Sequence, residues 1–560
     1  MAQIPDLQWF LRRWAWLVAL TGCNYALDFE TRQCRTTDDC RALGAGFEAT
    51  ECRAGSCVAP GSLAGPEPNL GEPGSGCVST AQCIADNRDE PFVCRRPGEP
   101  CTALKSPECP LVFGDFDDDQ AVYFGAFLNV PESAPLSQVS TLNVELAVNE
   151  FNDSVGGLPG GPLGKLRPLV GVVCRNDPEL VEPASTHLFE DVGVPAVLAH
   201  LPSAALKQFF VDHALPEQRF VINPGFADNS LTSISSDGLF WHVIGDIRDV
   251  APAYPPLLSR IESFIASPTP IRVAMVVSKR FAEQSIADTL TPLLEFNGKS
   301  VVENGDDFYV ASVPALPDEP SYDYSELNAA LLDFRPHVVI AITREEFVYK
   351  ILPPVESAWD SVAEGQARPF YVVPTALSGN LDLLEYVSVD SSGASSESKR
   401  QRIVGVAPAS AEDMTLYNQF LIRFRSAFPR FENPGGFENF YDAVYLLANA
   451  MFAAGSVPEL RGLDVARGMQ RVIDGNVEIS VGPTFIADGF TALAAGGEIR
   501  LLGTMGPADF DPGVGARRGN ASVYCIERSD SEGGLAFAYD VLRYDGEADL
   551  AGNFPCFSGF

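Results

Sequence analysis

The chain reads as α/β: two doubly wound, Rossmann-like lobes joined by a hinge and preceded by a small disulfide-rich region. Three observations predict this. From residue 121 onward, short β-rich runs alternate with helical segments, and the rhythm restarts near residue 271. Nine of the 13 cysteines crowd between Cys34 and Cys109, ahead of that alternation. The 560 residues are 46% hydrophobic and 20% charged, which is globular composition with length for two or three cores.

The N-terminus comes first. Arg12 and Arg13 precede a short apolar run that ends at Leu20-Thr21-Gly22-Cys23. A basic stretch, an apolar stretch and small residues before a cysteine read as an export signal. The apolar run is too short to span a bilayer as a mature helix. The segment resembles a bacterial lipobox. That resemblance implies removal of residues 1–22 and lipidation of Cys23, with the rest of the chain outside the cytoplasm; a buried N-terminal helix is the other reading. Residues 23–33 follow as a tether.

Residues 34–110 form the cysteine-rich region. Cys34, Cys40, Cys52 and Cys57 are followed by a similarly spaced set, Cys77, Cys83, Cys94 and Cys101, across a Gly/Pro-rich linker. Each half is too short for an apolar core, so disulfides are expected to hold it. No CxxC pair and no histidine falls here, which argues against zinc. With Cys109 the cluster holds nine cysteines, an odd number, so one bridge should leave it, for instance to Cys174. Cys525 and Cys556 are then left to pair near the C-terminus. The acidic run at 115–119 lacks the glycine and the closing glutamate of a calcium loop and reads as a solvated linker.

Strands are expected at 121–130, 167–174, 196–201 and 219–223, with helices at 137–152, 179–192 and 203–213. The second block predicts strands at 271–277, 300–303, 337–342 and 369–373. Its helices are expected at 282–296, 324–334 and 345–352, the last stopped by Pro353-Pro354. Such alternation implies parallel sheets covered on both faces, with a cleft at the strand carboxyl ends.

Particular residues then match a family. Ala147-Val-Asn-Glu-Phe-Asn152 with Gly156-Gly157, Leu198-Ala-His-Leu-Pro-Ser203, Val221-Ile-Asn-Pro-Gly225 and Val273-Ala-Met-Val-Val-Ser278 occur in order. So do Tyr441-Asp-Ala-Val-Tyr-Leu-Leu-Ala448 and a closing series from Val481-Gly482-Pro483 through Gly489-Phe490 to Phe510-Asp511. Over about 121–527 the chain resembles type I periplasmic binding proteins of the leucine/isoleucine/valine-binding kind. The resemblance implies lobe one at 121–249 plus 410–500, lobe two at 250–409, and a hinge-crossing segment and tail at 501–560. It also implies closure of the lobes on a small molecule, then presentation to an ABC-type permease or a signalling receptor.

It points to seven ligand-binding candidates: Ser203, Phe226, Ala227, Trp241, Phe281, Arg344 and Thr375. Ser203 opens a helix at a strand end and reads equally as a plain N-cap. Ala227 lacks the hydroxyl, Phe281 the phenol and Thr375 the acidic group that amino-acid binders carry there, which weakens an α-amino acid as ligand. Trp241 either stacks on a ligand or packs in the core. Arg344, beside Glu345, either meets polar ligand groups or is a solvated surface pair.

Enzyme classes find no support. The five histidines form no HExxH and there is no GxSxG elbow. The glycine-rich stretches at 160–165 and 513–519 have the wrong neighbours for a phosphate loop and read as turns. His200 reads as a satisfied structural histidine. No cofactor or metal is expected. A net charge of −35 disfavours nucleic acid and an anionic bilayer surface, so membrane attachment is assigned to the lipid. The alternative is a cell-envelope interaction protein that uses its cysteine-rich modules, with the bilobed part as scaffold.

Overall fold

The computed structural model describes residues 41, 51–53, 56–58 and 76–556, apart from 131–137, 161–165, 266, 317–318, 320, 364, 392, 432–435, 456–458, 529–533, 545, 547–548 and 555. Two compact units emerge, 1–75 and 76–560. In the first, Glu51–Arg53 and Ser56–Val58 pair antiparallel, with Cys52 opposite Cys57. The signal segment, Cys23, Cys34 and Cys40 lie outside the described residues, as do the side chains of Cys52 and Cys57.

The second unit opens on the later cysteine set. Helix Thr80–Asp86 is capped by Ser79, whose hydroxyl accepts the Gln82 N–H. A small hairpin, Phe92–Val93 with Thr102–Ala103, packs beside it. Cys77–Cys94 and Cys83–Cys101 close this half internally. Cys109–Cys174 is the bridge that leaves the cluster, and Cys525–Cys556 closes the tail. Val93, Leu104 and Cys109 are buried in the same core as the first large sheet. Arg95 donates to the Glu190 and Asp191 carbonyls, and a His187 ring nitrogen meets the Leu104 carbonyl at 3.1 Å.

That first sheet runs Phe510–Asp511, Ala516–Arg517, Phe240–His242, Phe220–Asn223, Ala196–Ala199, Val122–Leu128, Leu169–Arg175, Leu111–Phe113. The five middle strands are parallel. The second sheet runs Phe308–Val313, Val273–Ser278, Val338–Ile342, Phe370–Val373, Ile403–Pro408, Ala521–Arg528, Leu535–Tyr544, Leu550–Gly552. Its first five strands are parallel and its last three antiparallel. In both lobes the first strand of the parallel set lies between the second and the third. The order therefore reverses there, and a crevice opens beyond the carboxyl ends. Strands such as Val273–Ser278 and Val338–Ile342 are buried at every position, as a sheet covered on both faces requires.

The chain passes between the sheets three times, near 243–250, 409–414 and 504–520. The first passage is pinned by a bridge between Ala227 and Asp246. The second is held to the third by the Ala409 N–H on the Asn520 carbonyl, 2.7 Å, and to the tail by the Ser410 N–H on Asp540, 3.1 Å. Gly515, at φ +74°, lies where a Cβ would stand 2.1 Å from the Phe240 carbonyl oxygen, so the third passage needs glycine there.

Two expected elements are corrected. The strand expected at 300–303 is confined to Lys299–Ser300, and residues 301–303 are helical. Ser300 and Glu303 form a capping box that starts a helical turn, Val301–Asn304, and the edge strand is Phe308–Val313. Pro353-Pro354 does not stop a helix but begins one, Leu352–Val362, because the first turn has no use for the missing N–H groups.

The Cys109–Cys174 bridge closes a 65-residue separation. A Cys109→Ala/Cys174→Ala double variant is expected to lose about 4 kcal/mol in urea unfolding on loop-closure grounds, with the Cys525–Cys556 bridge intact by peptide mapping.

Candidate functional site

The strand carboxyl ends of the two lobes supply the site. In lobe one, His200 follows strand Ala196–Ala199, its N–H donating to the Phe127 carbonyl at 3.2 Å. Its ring stands edge-on to Phe440 at 4.9 Å, and Nδ1 is buried with no partner among the described residues. Burial, with a smaller push from the Arg344 charge, lowers its pKa to about 4, so the ring is neutral at physiological pH. Asn223 ends the next strand and accepts the Gly225 N–H at 2.8 Å, which turns the chain toward lobe two. Phe226 then packs against the lobe-two core.

In lobe two, strand Val273–Ser278 leads into helix Phe281–Leu290. Arg280 pairs with Glu346 at 2.6 Å and with Glu345 at 3.7 Å. Phe281 is exposed at the helix start, and the Lys207 ammonium of lobe one lies 5.5 Å from its ring centroid. Arg344 follows strand Val338–Ile342, and its Nε donates to Glu283 at 2.6 Å. Further along, Tyr524 reaches the Pro374 carbonyl at 2.6 Å, made possible by Gly405, where a Cβ would meet the tyrosine ring at 2.0 Å.

Not every residue singled out from sequence meets this cleft. Ser203 is the first residue of its helix rather than the N-cap, which is Pro202; its hydroxyl caps nothing, and it shares the helix with Lys207. Ala227 is wholly buried. Its N–H donates to Gly245 and its carbonyl accepts from Ile247, so the hinge bridge uses the groups a ligand would need. Trp241 is core: it is fully buried, donates to the Gly238 carbonyl at 2.7 Å and meets Phe510 edge-on at 5.4 Å. The Thr375 hydroxyl donates to the Val406 carbonyl at 3.1 Å. Phe226 packs against the lobe-two core, Phe281 meets Lys207 of lobe one, and the Arg344 charge bears on His200. Asp246 is a helix cap, accepting the Arg248 N–H at 2.7 Å.

Two residues were not read as functional from sequence. His200, read as a satisfied structural histidine, has a buried Nδ1 with no partner among the described residues. Glu438 opens helix Glu438–Ala453, and one of its carboxylate oxygens, Oε2, is buried with no partner among the described residues. Burial first, then the nearby Asp442, pushes its carboxyl up to about 7. Its charge is felt by Tyr417 of lobe one and by Tyr539 on a lobe-two strand. The signal available in sequence was its place just before Tyr441-Asp-Ala-Val-Tyr. Beside the hinge, a groove of about 360 Å³ is lined by Asn229, Ser230, Ser233 and Arg248 on one side and Ser285, Asp288 and Thr289 on the other.

No family model matches the chain, and no curated protein does. Among solved structures, it is similar to a branched-chain amino acid transporter substrate-binding protein of Streptococcus pneumoniae in complex with isoleucine. Identity is 14% and the TM-score 0.49, over 75% of this chain and 99% of that one. It is similar to a solute-binding protein of an ABC transporter of Rhodopseudomonas palustris in complex with 3,4-dihydroxybenzoic acid, at 12% and 0.49 over 78% and 98%. A leucine-binding protein of Thermotoga maritima gives 11% and 0.48 over 75% and 98%. They are the class of protein that the sequence resembles. These likenesses bear on neither ligand nor role; the two-lobed architecture rests on this chain's own strand order and crossings.

The Glu438 carboxyl has a raised folded pKa, about 7 against 4.5 for a free glutamate. Its ionisation therefore opposes folding, and the penalty grows as pH rises from about 4.5 to 7. The stability of Glu438→Gln minus that of the parent, from urea unfolding, is expected to be near zero at pH 4 and roughly 1–3 kcal/mol in favour of the variant at pH 8.

Proposed function

We propose that the chain is an extracytoplasmic solute-binding protein that captures a small molecule between its two lobes. It hands the closed form to an ABC-type permease or a signalling receptor, and is held to the cell envelope by a lipid on Cys23. One observation supports the capture reading: groups beside the strand ends of the two lobes come together. The Arg344 charge bears on His200, Lys207 lies 5.5 Å from the Phe281 ring centroid, and Phe226 packs against the other lobe's core. A ligand that touches both lobes favours the closed arrangement by its differential contacts.

The lipid anchor rests on the Leu20-Thr21-Gly22-Cys23 segment. No helix among the described residues is long and apolar enough to cross a membrane, which is compatible with such an anchor. A second reading has its own support. The Cys77–Cys101 half is fastened to lobe one by Cys109–Cys174 and by Arg95 on the Glu190 and Asp191 carbonyls. A region held that firmly suits a rigid surface for a macromolecular partner.

Thermal unfolding of the full chain against amino acids, amides, short-chain acids and aromatics separates the two. At about 100 times its Kd, a captured solute should add about 2.7 kcal/mol, and small-angle scattering should report a smaller radius. Absence of any shift would favour the interaction reading. Mass spectrometry of the membrane fraction should find a mature N-terminus at acylated Cys23; an unmodified, uncleaved terminus would refute the anchor.

A further inference from the structure

We propose that residues 34–57 are a second copy of the disulfide module at 77–101, closed by the bridges Cys34–Cys52 and Cys40–Cys57. Four cysteines allow three pairings, and sequence spacing alone does not choose among them. The later module chooses, because its backbone and its bridges are both on the page.

In that module the chain runs from Cys77 into helix Thr80–Asp86, which carries Cys83, and then into a hairpin. Phe92 pairs with Ala103 and Val93 with Thr102, so the next rung sets Cys94 opposite Cys101. These two do not bond to each other. Cys94 takes Cys77 from ahead of the helix, and Cys101 takes Cys83 from within it. The helix is thereby tied to both strands of the hairpin, and Cys77, Cys83 and Cys94 share one small core.

The earlier segment repeats each part. Cys34 and Cys40 have five residues between them, as Cys77 and Cys83 do. Thr36 stands two residues after Cys34, the place from which Ser79 caps the later helix. Arg41 is helical, as Ile84 is at the matching place. Glu51–Arg53 pairs antiparallel with Ser56–Val58 and sets Cys52 opposite Cys57, the rung that Cys94 and Cys101 occupy. Cys34 to Cys52 spans 18 positions and Cys40 to Cys57 spans 17, against 17 and 18 in the later bridges. A bridge straight across the hairpin, Cys52–Cys57, would leave Cys34 to join Cys40 and the part around Arg41 with no tie to the strands. A segment this short has no apolar core to replace that tie.

One difference separates the copies. Val93 and Leu104, one residue before Cys94 and three after Cys101, are buried in the lobe-one core. Glu51 and Pro60 hold those places in the earlier segment. The apolar anchors are not repeated, so the earlier copy depends on its two bridges.

The test is trypsin digestion of the oxidised full chain without reduction, after free thiols are blocked at mildly acid pH. Arg35, Arg41 and Arg53 separate the four cysteines into different peptides. Mass spectrometry should find peptide 33–35 joined to 42–53, and 36–41 joined to 54–88. The last peptide also holds Cys77 and Cys83, so Cys40→Ser supplies a second measurement: it should release one thiol, and alkylation should place that thiol at Cys57. Peptide 33–35 joined to 36–41 or to 54–88, or 42–53 joined to 36–41 or to 54–88, would overturn the proposal. So would a blocked thiol at any of the four cysteines in the parent chain, or a free thiol at Cys52 in Cys40→Ser.

Discussion

A parallel sheet with helices on both faces can meet the outside only at its strand ends. Every other feature of this protein follows from that constraint. Inner strands such as Ala196–Ala199, Phe220–Asn223, Val273–Ser278 and Val338–Ile342 are buried along their whole length and cannot carry recognition. The loops after them can, because strand order reverses in each lobe and separates neighbouring loops there. His200 and Phe226 in one lobe and Arg344 in the other lie just beyond such carboxyl ends. The hinge passages start from the same rim, which is why Ala227, one residue beyond Phe226, is consumed by the bridge to Asp246.

Charge at the strand carboxyl ends is arranged against a strongly acidic whole. Arginines there are matched by buried or half-buried glutamates, and the histidine is kept neutral by burial. Each lobe also holds a buried acid inside its own packing. Glu150 takes Arg423 and Tyr445 in lobe one; Glu356 takes both forks of Arg402 and the Tyr371 hydroxyl in lobe two. Breaking such a pair by removing one partner strands a charge in low dielectric, so these networks fix how helix meets sheet. No cation pairs with Glu438 among the described residues, and burial pushes its carboxyl up to about 7.

The disulfide region solves a different problem. Residues 76–109 bury too little apolar surface to fold on hydrophobic grounds, and their cysteines make their own small core. The strand that follows, Leu111–Phe113, adds to the edge of the lobe-one sheet at Leu169–Arg175. It covers a row of backbone groups that would otherwise invite another chain. Cys109–Cys174 fastens the two at that edge.

The sequence by itself determined the architecture. Its βα alternation, the odd cysteine leaving the cluster and the late pairing of Cys525 with Cys556 were legible, because hydrophobic period and cysteine parity are local or countable properties. Boundaries at 300–303 and after 352 were misjudged where a capping box and a proline pair act opposite to their composition. The site was only partly legible. Phe226, Phe281 and Arg344 were singled out by position in the order of elements; Trp241, for which core packing was one of the two readings, is core, and Ala227 is taken up by the hinge bridge. Glu438 was marked only by its place before Tyr441-Asp-Ala-Val-Tyr, and the His200 nitrogen left without a partner among the described residues had no mark in the sequence. Whether a polar atom is satisfied depends on neighbours hundreds of residues away, and only the folded chain brings those neighbours to it.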